Sequence, residues 1–166
     1  MFSQHKLIII TGTPGVGKST LARKLVQVLG KGWKRLDLHK YYQEVSTGYD
    51  KKSKSYEIDL KKLEKLVAEL KQKNNLIFDS HVAHLLPKKL VDLCIVLTCS
   101  DLKLLQRRLQ KRKYSKAKVE ENLQVEIFQT CLEEAKEKGQ KLLVFDAAKE
   151  KIVLCFKKHM KLMLNI

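Results

Sequence analysis

Eight consecutive residues near the start of the chain have the types and spacing that hold a phosphate group. Gly12 to Ser19 read Gly-Thr-Pro-Gly-Val-Gly-Lys-Ser and fit the pattern G-x-x-x-x-G-K-[ST] at every position. Glycines let such a loop curl until several backbone N–H groups point at one phosphate, and the following helix adds the positive end of its dipole. Lys18 would reach the β- and γ-phosphates of a nucleoside triphosphate, and the Ser19 hydroxyl would bind Mg²⁺. The predicted triphosphate-binding residues are Gly12, Thr13, Pro14, Gly15, Val16, Gly17, Lys18, Ser19 and Thr20.

A second group of polar residues follows the apolar segment Leu76–Phe78. Asp79 ends this predicted strand, at the sheet edge where open parallel sheets gather their ligands, and its carboxylate could hold Mg²⁺ through water. The alternative is an Asp that caps the next turn. His81 could orient an attacking water or respond to charge, whereas a structural role is favoured for His84. A metal site made of Asp79 and both histidines is a further alternative, which their irregular spacing disfavours.

The segment from Lys103 to Lys118 contains eight basic residues and no acidic ones. Within it, Arg108 and Arg112 are four residues apart on a predicted helix and therefore project from one face. Paired guanidinium groups stabilise the negative charge of a phosphoryl group in transfer, and they bind its oxygens in pairs. The alternative is a solvated basic helix face. Arg107 would replace Arg108 if the helix were shifted by one residue.

Short apolar segments alternate with amphipathic ones, which predicts an α/β fold with a parallel sheet covered on both faces. The 166 residues suit one domain, 1–166. An inserted substrate-binding lobe is predicted from Asp37 onward, because that segment holds tyrosines among charges with little periodicity. One long helix is predicted over Val119–Lys138, with Val119, Leu123, Ile127, Leu132 and Ala135 facing inward. A last helix from about Ala148 would bury Ile152, Val153, Phe156 and Met160.

The charge balance is unusual, since the chain has 34 Lys and Arg residues but only 18 Asp and Glu residues, which gives a net charge of +16. Such an excess favours polyanions, RNA above all. A heat-adapted surface would raise Glu together with Lys, which is not the case here. The chain shows neither a signal-peptide pattern nor an apolar stretch of about 20 residues, so no membrane contact is expected and a cytoplasmic location is predicted. The cysteines are expected to be reduced and mostly buried.

These motifs together resemble the small P-loop nucleoside monophosphate kinases, and most of all the adenylate kinase isoenzyme 6 family, also called CINAP. The resemblance spans nearly the whole chain. The D-x-H motif and the N-[IL]-Q-x-E-I-F run are much more specific than the phosphate loop, which hundreds of families share. The residues that carry the resemblance are Thr11–Thr20, Gly48–Asp50, Phe78–His81, Arg108 and Arg112 with Tyr114, and Asn122–Phe128.

The resemblance implies a P-loop NTPase fold with a doubly wound, five-stranded sheet, a short lid at about 107–118 and a nucleoside-monophosphate lobe at about 37–73. It implies binding of Mg²⁺ and ATP, adenylate kinase activity and ATP hydrolysis. It also implies a role in maturation of the small ribosomal subunit, through ribosomal protein uS11 or pre-ribosomal RNA. The location would be nuclear in a eukaryote. The implied catalytic residues are Lys18, Asp79, His81, Arg108 and Arg112; Arg108 also binds ATP, Ser19 and Asp79 (through water) hold Mg²⁺, and Lys40, Tyr41, Gly48 and Tyr49 bind the monophosphate.

The chain departs from this family at three places. The lobe's usual phosphate-binding Arg falls near Tyr41, with Lys40 beside it, and a Lys lacks the bidentate fork of Arg. Weaker AMP binding and relatively more ATP hydrolysis are therefore expected. Lys113 stands where the family has Gly, and Val82-Ala83-His84 follows the D-x-H motif in place of the usual Gly and acid. The alternative functions are an ATP-switched assembly factor with little kinase activity, or a kinase for another small metabolite.

Overall fold

A five-stranded parallel sheet forms the centre of the fold in the computed structural model, which describes residues 5–51, 55–149, 152–153 and 155–156. The spatial order of its strands is β2-β5-β1-β6-β7, and a separate antiparallel pair, β3 and β4, lies outside it. In chain order the elements are β1 (Leu7–Thr11), α1 (Lys18–Leu29), β2 (Trp33–Leu36), α2 (Tyr42–Val45), β3 (Ser46–Asp50), β4 (Ser55–Ile58), α3 (Leu60–Lys71), β5 (Asn75–Asp79), β6 (Leu93–Thr98), α4 (Leu102–Lys111), α5 (Lys116–Ile127), α6 (Thr130–Glu137) and β7 (Leu142–Asp146), with 3₁₀ turns at Leu38–Tyr41 and Ala83–Leu85.

Both faces of the sheet are covered, because side chains of the central strands alternate between two apolar clusters. Ile8 and Ile10 of β1 pack into a cluster that includes residues of α1 and α4. Leu7 and Ile9 pack into a second cluster that includes residues of α3 and α6. This arrangement confirms the predicted doubly wound α/β fold. Within the described residues, no helix is both long and apolar enough to cross a bilayer.

The predicted lobe begins where the chain leaves the sheet after β2. The 3₁₀ turn, α2 and the β3–β4 pair form this excursion. The Asp59 carboxylate then accepts hydrogen bonds from the N–H groups of Lys61 and Lys62 and caps α3. Leu63 and Val67 of α3 are fully buried against the sheet. Within the predicted lobe, the described residues of 37–58 pair with no strand of the five-stranded sheet. Leu38 and Val45 nevertheless anchor this part of the lobe in the second apolar cluster.

The prediction of one long helix over Val119–Lys138 is wrong, because α5 ends at Ile127 and α6 begins at Thr130. Gln129 between them has a φ of 50°. Val119 packs into the α1–α4 cluster, whereas Leu132 and Ala135 pack into the cluster on the other side of the sheet. A straight helix could not reach both clusters, so the chain turns. Ile127, which was predicted to face inward, is exposed at the turn, as is the following Phe128.

The range predicted as the lid contains the end of α4, a turn at 112–115 and the start of α5. Lys113 in this turn has a φ of 59°, a backbone conformation that favours glycine. The Ser115 hydroxyl accepts a hydrogen bond from the Lys118 N–H and caps α5. Farther along, Phe156 is buried in the α1–α4 cluster as predicted. Met160 lies outside the described residues.

Candidate active site

The predicted phosphate loop joins β1 to α1 and closes on itself. Gly12 has a φ of 137°, and a Cβ there would lie 2.2 Å from the Leu97 carbonyl oxygen, so only glycine fits. The Lys18 ammonium donates to the carbonyl oxygens of Gly12, at 2.6 Å, and Thr13, at 3.0 Å. Burial, reinforced by the positive charge of Arg112, lowers the pKa of Lys18 to about 8. The ammonium therefore lies inside the curl, where a phosphate would be held.

A buried glutamate ties this loop to the next strand of the sheet. Glu126 projects from α5 and is 7% exposed. Its carboxylate accepts hydrogen bonds from the Thr13 hydroxyl, at 2.5 Å, and from the Cys99 N–H, at 2.6 Å. Both oxygens are thus used to fix the loop against the end of β6. Glu126 lies in the Asn122–Phe128 run, which gives that run a structural role in the site.

Asp79 lies at the carboxyl end of β5 as predicted, but it is paired with a residue that the sequence analysis did not single out. The Arg35 guanidinium donates from Nε to Oδ1, at 2.6 Å, and from Nη2 to Oδ2, at 2.9 Å. The Asp79 side chain is only 2% exposed. The hydrogen bond to Asp79 raises the pKa of Arg35. Such a bidentate pair is among the stronger ion pairs in proteins.

The two histidines after Asp79 differ in their surroundings. His81 faces the open cavity described below, yet desolvation by the cavity wall and the positive charge of Lys18 lower its pKa to about 4, so the ring is neutral at pH 7. His84 is buried between Thr11 and Glu134. Its Nε2–H donates to the Glu134 carboxylate at 2.6 Å, and its Nδ1 accepts from the Thr11 hydroxyl at 2.6 Å. These bonds match the structural role favoured for His84.

Two cavities meet at the loop. One, of about 700 Å³, lies over Gly15–Gly17 and α1, and extends to Ala147, Ile152 and Val153. The other, of about 850 Å³, lies between the loop, the end of β5 and the lobe, and Lys18, Ser19, Asp79 and His81 line it. Gly12 and Thr13 line neither cavity, so their part is to shape the loop. Pro14 lines the second cavity; Val16 and Thr20 line the first.

Arg108 and Arg112 are both placed at the loop. The Arg108 guanidinium lies 3.5 Å from the Gly15 carbonyl oxygen and lines the first cavity. Arg112 lines both cavities, so it stands at the point where they meet. Arg107 is exposed and lines neither, which settles the helix register left open above. Tyr114 lines the second cavity, and the Lys118 ammonium lies 4.9 Å from its ring centre.

On the lobe side, the second cavity is lined by aromatic residues that differ in part from those predicted. Tyr49 lines it, but Lys40, Tyr41 and Gly48 do not. Lys40 points to solvent, and Tyr41 packs against the α3 side of the sheet. The residues on either side of Lys40 and Tyr41 line the cavity instead: His39 of the 3₁₀ turn and Tyr42 at the start of α2. The aromatic cluster consists of His39, Tyr42, Tyr49 and Tyr56, with Tyr42 and Tyr56 stacked at 4.5 Å.

The donor set near the loop suits Mg²⁺ only together with a nucleotide. The Ser19 hydroxyl and the Asp79 carboxylate line the same cavity and are hard oxygen donors, which Mg²⁺ prefers. Mg²⁺ is usually bound by one or two such groups plus substrate phosphates and water. Across the described parts of the chain, no group of three or more His, Cys, Asp or Glu side chains could hold a metal by itself. A histidine–aspartate metal centre is therefore not supported.

Comparison with known proteins gives consistent matches. A family model described as an AAA domain matches residues 8–129. A relative from Methanocaldococcus jannaschii with the name "Putative adenylate kinase" is 43% identical, over 79% of this chain and 72% of the relative. The adenylate kinase isoenzyme 6 homolog of Schizosaccharomyces pombe is 36% identical, over 87% of this chain and 82% of its own. The adenylate kinase isoenzyme 6 homolog FAP7 of Saccharomyces cerevisiae is 36% identical, over 84% and 71%.

Solved structures share the fold at lower sequence identity. The YorR protein of Bacillus subtilis, solved with phosphorylated GDP, matches with a TM-score of 0.60 and 19% identity, over 95% of both chains. Shikimate kinase from Acinetobacter baumannii, solved with shikimate, matches with a TM-score of 0.60 and 14% identity, over 99% of this chain and 96% of its own. At these identities the likeness concerns the fold.

Proposed function

The chain belongs to the adenylate kinase isoenzyme 6 family of P-loop phosphotransferases, and we propose that it transfers the γ-phosphoryl group of ATP to AMP or another nucleoside monophosphate. Without an acceptor it hydrolyses ATP. The observation that carries this proposal is the meeting of two cavities at the phosphate loop, with Arg112 lining both. An enzyme that only hydrolysed ATP would need room for one nucleotide and a water molecule. A volume of about 850 Å³ accommodates a second nucleotide.

The first cavity is assigned to the adenosine of ATP. Ala147, Ile152 and Val153 give it apolar walls, and the Arg108 guanidinium can stack on a base. The triphosphate then extends along the loop toward Lys18 and Ser19. Lys18, Arg108 and Arg112 bind the phosphate oxygens and stabilise the charge that develops during transfer. When bound, Mg²⁺ would be held by Ser19 and, through water, by Asp79, and it would neutralise the β- and γ-phosphates.

The second cavity is assigned to the acceptor. Residues 37–58 act as the monophosphate lobe, and the end of α4 with its turn, within 107–118, acts as the lid. The neutral His81 ring can hold a water molecule by a hydrogen bond when no acceptor is present. His81 contributes less to catalysis when an acceptor nucleotide fills the cavity. His81→Ala is therefore expected to lower ATP hydrolysis more than AMP phosphorylation.

The test is to incubate labelled ATP and Mg²⁺ with the protein, once with each of a panel of monophosphates and once with none, and to separate the products. Labelled ADP made from AMP, together with labelled phosphate released by hydrolysis, is the expected result. Phosphate release at the same rate in every mixture would contradict a kinase function and favour an ATPase. Lys18→Ala is expected to abolish both products; wild-type turnover in that variant would contradict the site assignment.

We propose as a second candidate an ATP-switched assembly factor for the small ribosomal subunit, since the net charge of +16 favours polyanionic partners. The partner would be ribosomal protein uS11 or pre-ribosomal RNA, and the site of action the cytoplasm, or the nucleus in a eukaryote. A pull-down that captures a uS11-like protein, and loses it when ATP is added, would support this candidate. No association with ribosomal components at low salt would count against it.

A further inference from the structure

The Arg35–Asp79 ion pair occupies the carboxylate that the proposed reaction needs for Mg²⁺. Arg35 lies on β2, the edge strand next to β5, and both side chains line the acceptor cavity. The guanidinium uses two nitrogens, Nε and Nη2, one on each carboxylate oxygen. A carboxylate that is 2% exposed requires a positively charged partner, since an unpaired buried charge is strongly destabilising. Arg35 supplies that partner when no Mg²⁺ is bound.

A guanidinium and a hydrated Mg²⁺ cannot both be held closely by one buried carboxylate without repelling each other. Binding of Mg²⁺ with ATP therefore weakens the hold of Asp79 on Arg35. The Arg35 side chain is 23% exposed and borders the cavity, so it has space to move there.

Once released from Asp79, the Arg35 guanidinium would supply the acceptor cavity with a positively charged group that can bind the phosphate of the acceptor. Among the described cations of this cavity, Lys18 donates into the phosphate loop, Arg112 stands between both cavities, and Lys118 lies over the Tyr114 ring. Arg35 is next to the lobe, two residues before Asp37. Its planar fork matches a phosphate monoester as well as it matches a carboxylate.

We propose, building on the proposed function, that Arg35 binds two anions in turn: Asp79 in the empty site, and the phosphate of the acceptor nucleotide once Mg²⁺ and ATP engage Asp79. The exchange makes the two substrates cooperative. Mg²⁺ with ATP releases Arg35 for the acceptor, and by thermodynamic reciprocity the acceptor favours the binding of Mg²⁺.

Calorimetric titration of AMP into the protein with a non-hydrolysable ATP analogue, with Mg²⁺ and with EDTA, measures this coupling. In the wild type, Mg²⁺ is expected to tighten AMP binding at least about tenfold. Arg35→Gln is expected to weaken AMP binding with Mg²⁺ by about tenfold or more and to remove the Mg²⁺ effect. Lys34→Gln, the same charge change at the exposed neighbouring position, is expected to behave as the wild type. Arg35→Lys, which keeps the charge without the fork, is expected to fall between them.

A second measurement, the affinity for Mn²⁺, distinguishes this role of Arg35 from a purely structural role. Mn²⁺ binding, followed by electron paramagnetic resonance in the presence of the ATP analogue and without AMP, is expected to tighten in Arg35→Gln, because Asp79 has lost its competing cation. A structural role predicts weaker or unchanged Mn²⁺ binding, and either result would overturn the proposal. If the wild type binds no monophosphate, the proposed kinase function fails, while the Mn²⁺ result still reports on the exchange at Asp79.

Discussion

At the scale of single residues, Glu126 carries a testable share of the stability of the phosphate loop. Glu126→Ala leaves the Thr13 hydroxyl and the Cys99 N–H without their shared acceptor. Leaving such buried groups unpaired is expected to lower the free energy of unfolding by about 3 kcal/mol in total. Urea unfolding, followed by circular dichroism, measures the loss. Glu120→Ala, at an exposed position of the same helix, is the control and should stay close to the wild type; an equally stable Glu126→Ala protein would contradict the assigned role.

His81 is the residue whose protonation we expect to shape the pH dependence of ATP hydrolysis. Its pKa, lowered to about 4, lies below the ordinary value of 6.5, so the ring stays neutral as the pH falls through 6.5 and gains its proton only in more acidic solution. The part of the hydrolysis rate that His81→Gln removes is therefore expected to be nearly constant between pH 7 and 6, where Lys18 with its pKa of about 8 is protonated, and to decline toward pH 4. A decline centred on pH 6.5 in the difference between the two profiles would mean that His81 has an ordinary pKa.

At the scale of elements, the turn between α4 and α5 places a lysine in a conformation that favours glycine. Lys113 has a φ of 59° and an exposed side chain. Lys113→Gly is expected to raise the free energy of unfolding by about 0.5–1 kcal/mol, because the steric cost of the left-handed conformation disappears while the unfolded chain gains some entropy. Lys111→Gly, within the last turn of α4, should instead lower it by about 1 kcal/mol. If both variants lost stability equally, Lys113 would not be strained.

Elements with local signals were readable from the sequence. Helix α1 begins where the phosphate-loop pattern ends, at Lys18, and it stops before Gly30; the Asp101 carboxylate accepts a hydrogen bond from the Leu104 N–H at the start of α4. The break between α5 and α6 was missed because neither Gly nor Pro marks it; only packing on both sides of the sheet requires it. The Arg35–Asp79 pair was missed for a related reason, since it joins two strands 44 residues apart and no local pattern links them. Contiguous site residues were thus predictable, and partners brought together by strand order were not.

At the scale of the whole molecule, the net charge of +16 predicts binding to RNA that depends strongly on salt. A protein that neutralises Z phosphates of a single strand loses affinity with a slope of about −0.7Z in the logarithm of salt concentration, so about three contacts give roughly a twentyfold loss between 50 and 200 mM salt. Fluorescence anisotropy of a labelled single-stranded RNA, measured at both concentrations, tests this. Affinity that did not change with salt would mean that the excess charge does not contact RNA.

Two triple variants with the same net charge can locate the RNA-binding face. Lys103, Lys113 and Lys116 are exposed on α4, in the α4–α5 turn and at the start of α5, in a segment without acidic residues. Lys61, Lys62 and Lys65 are exposed on α3, where Glu64 and Glu69 interrupt the positive charge. Because nearby carboxylates repel phosphates and offset the lysines, replacing the first set by Gln is expected to weaken RNA binding and flatten its salt dependence more than replacing the second set. Equal losses would mean that net charge alone governs binding, with no preferred face beside the proposed lid.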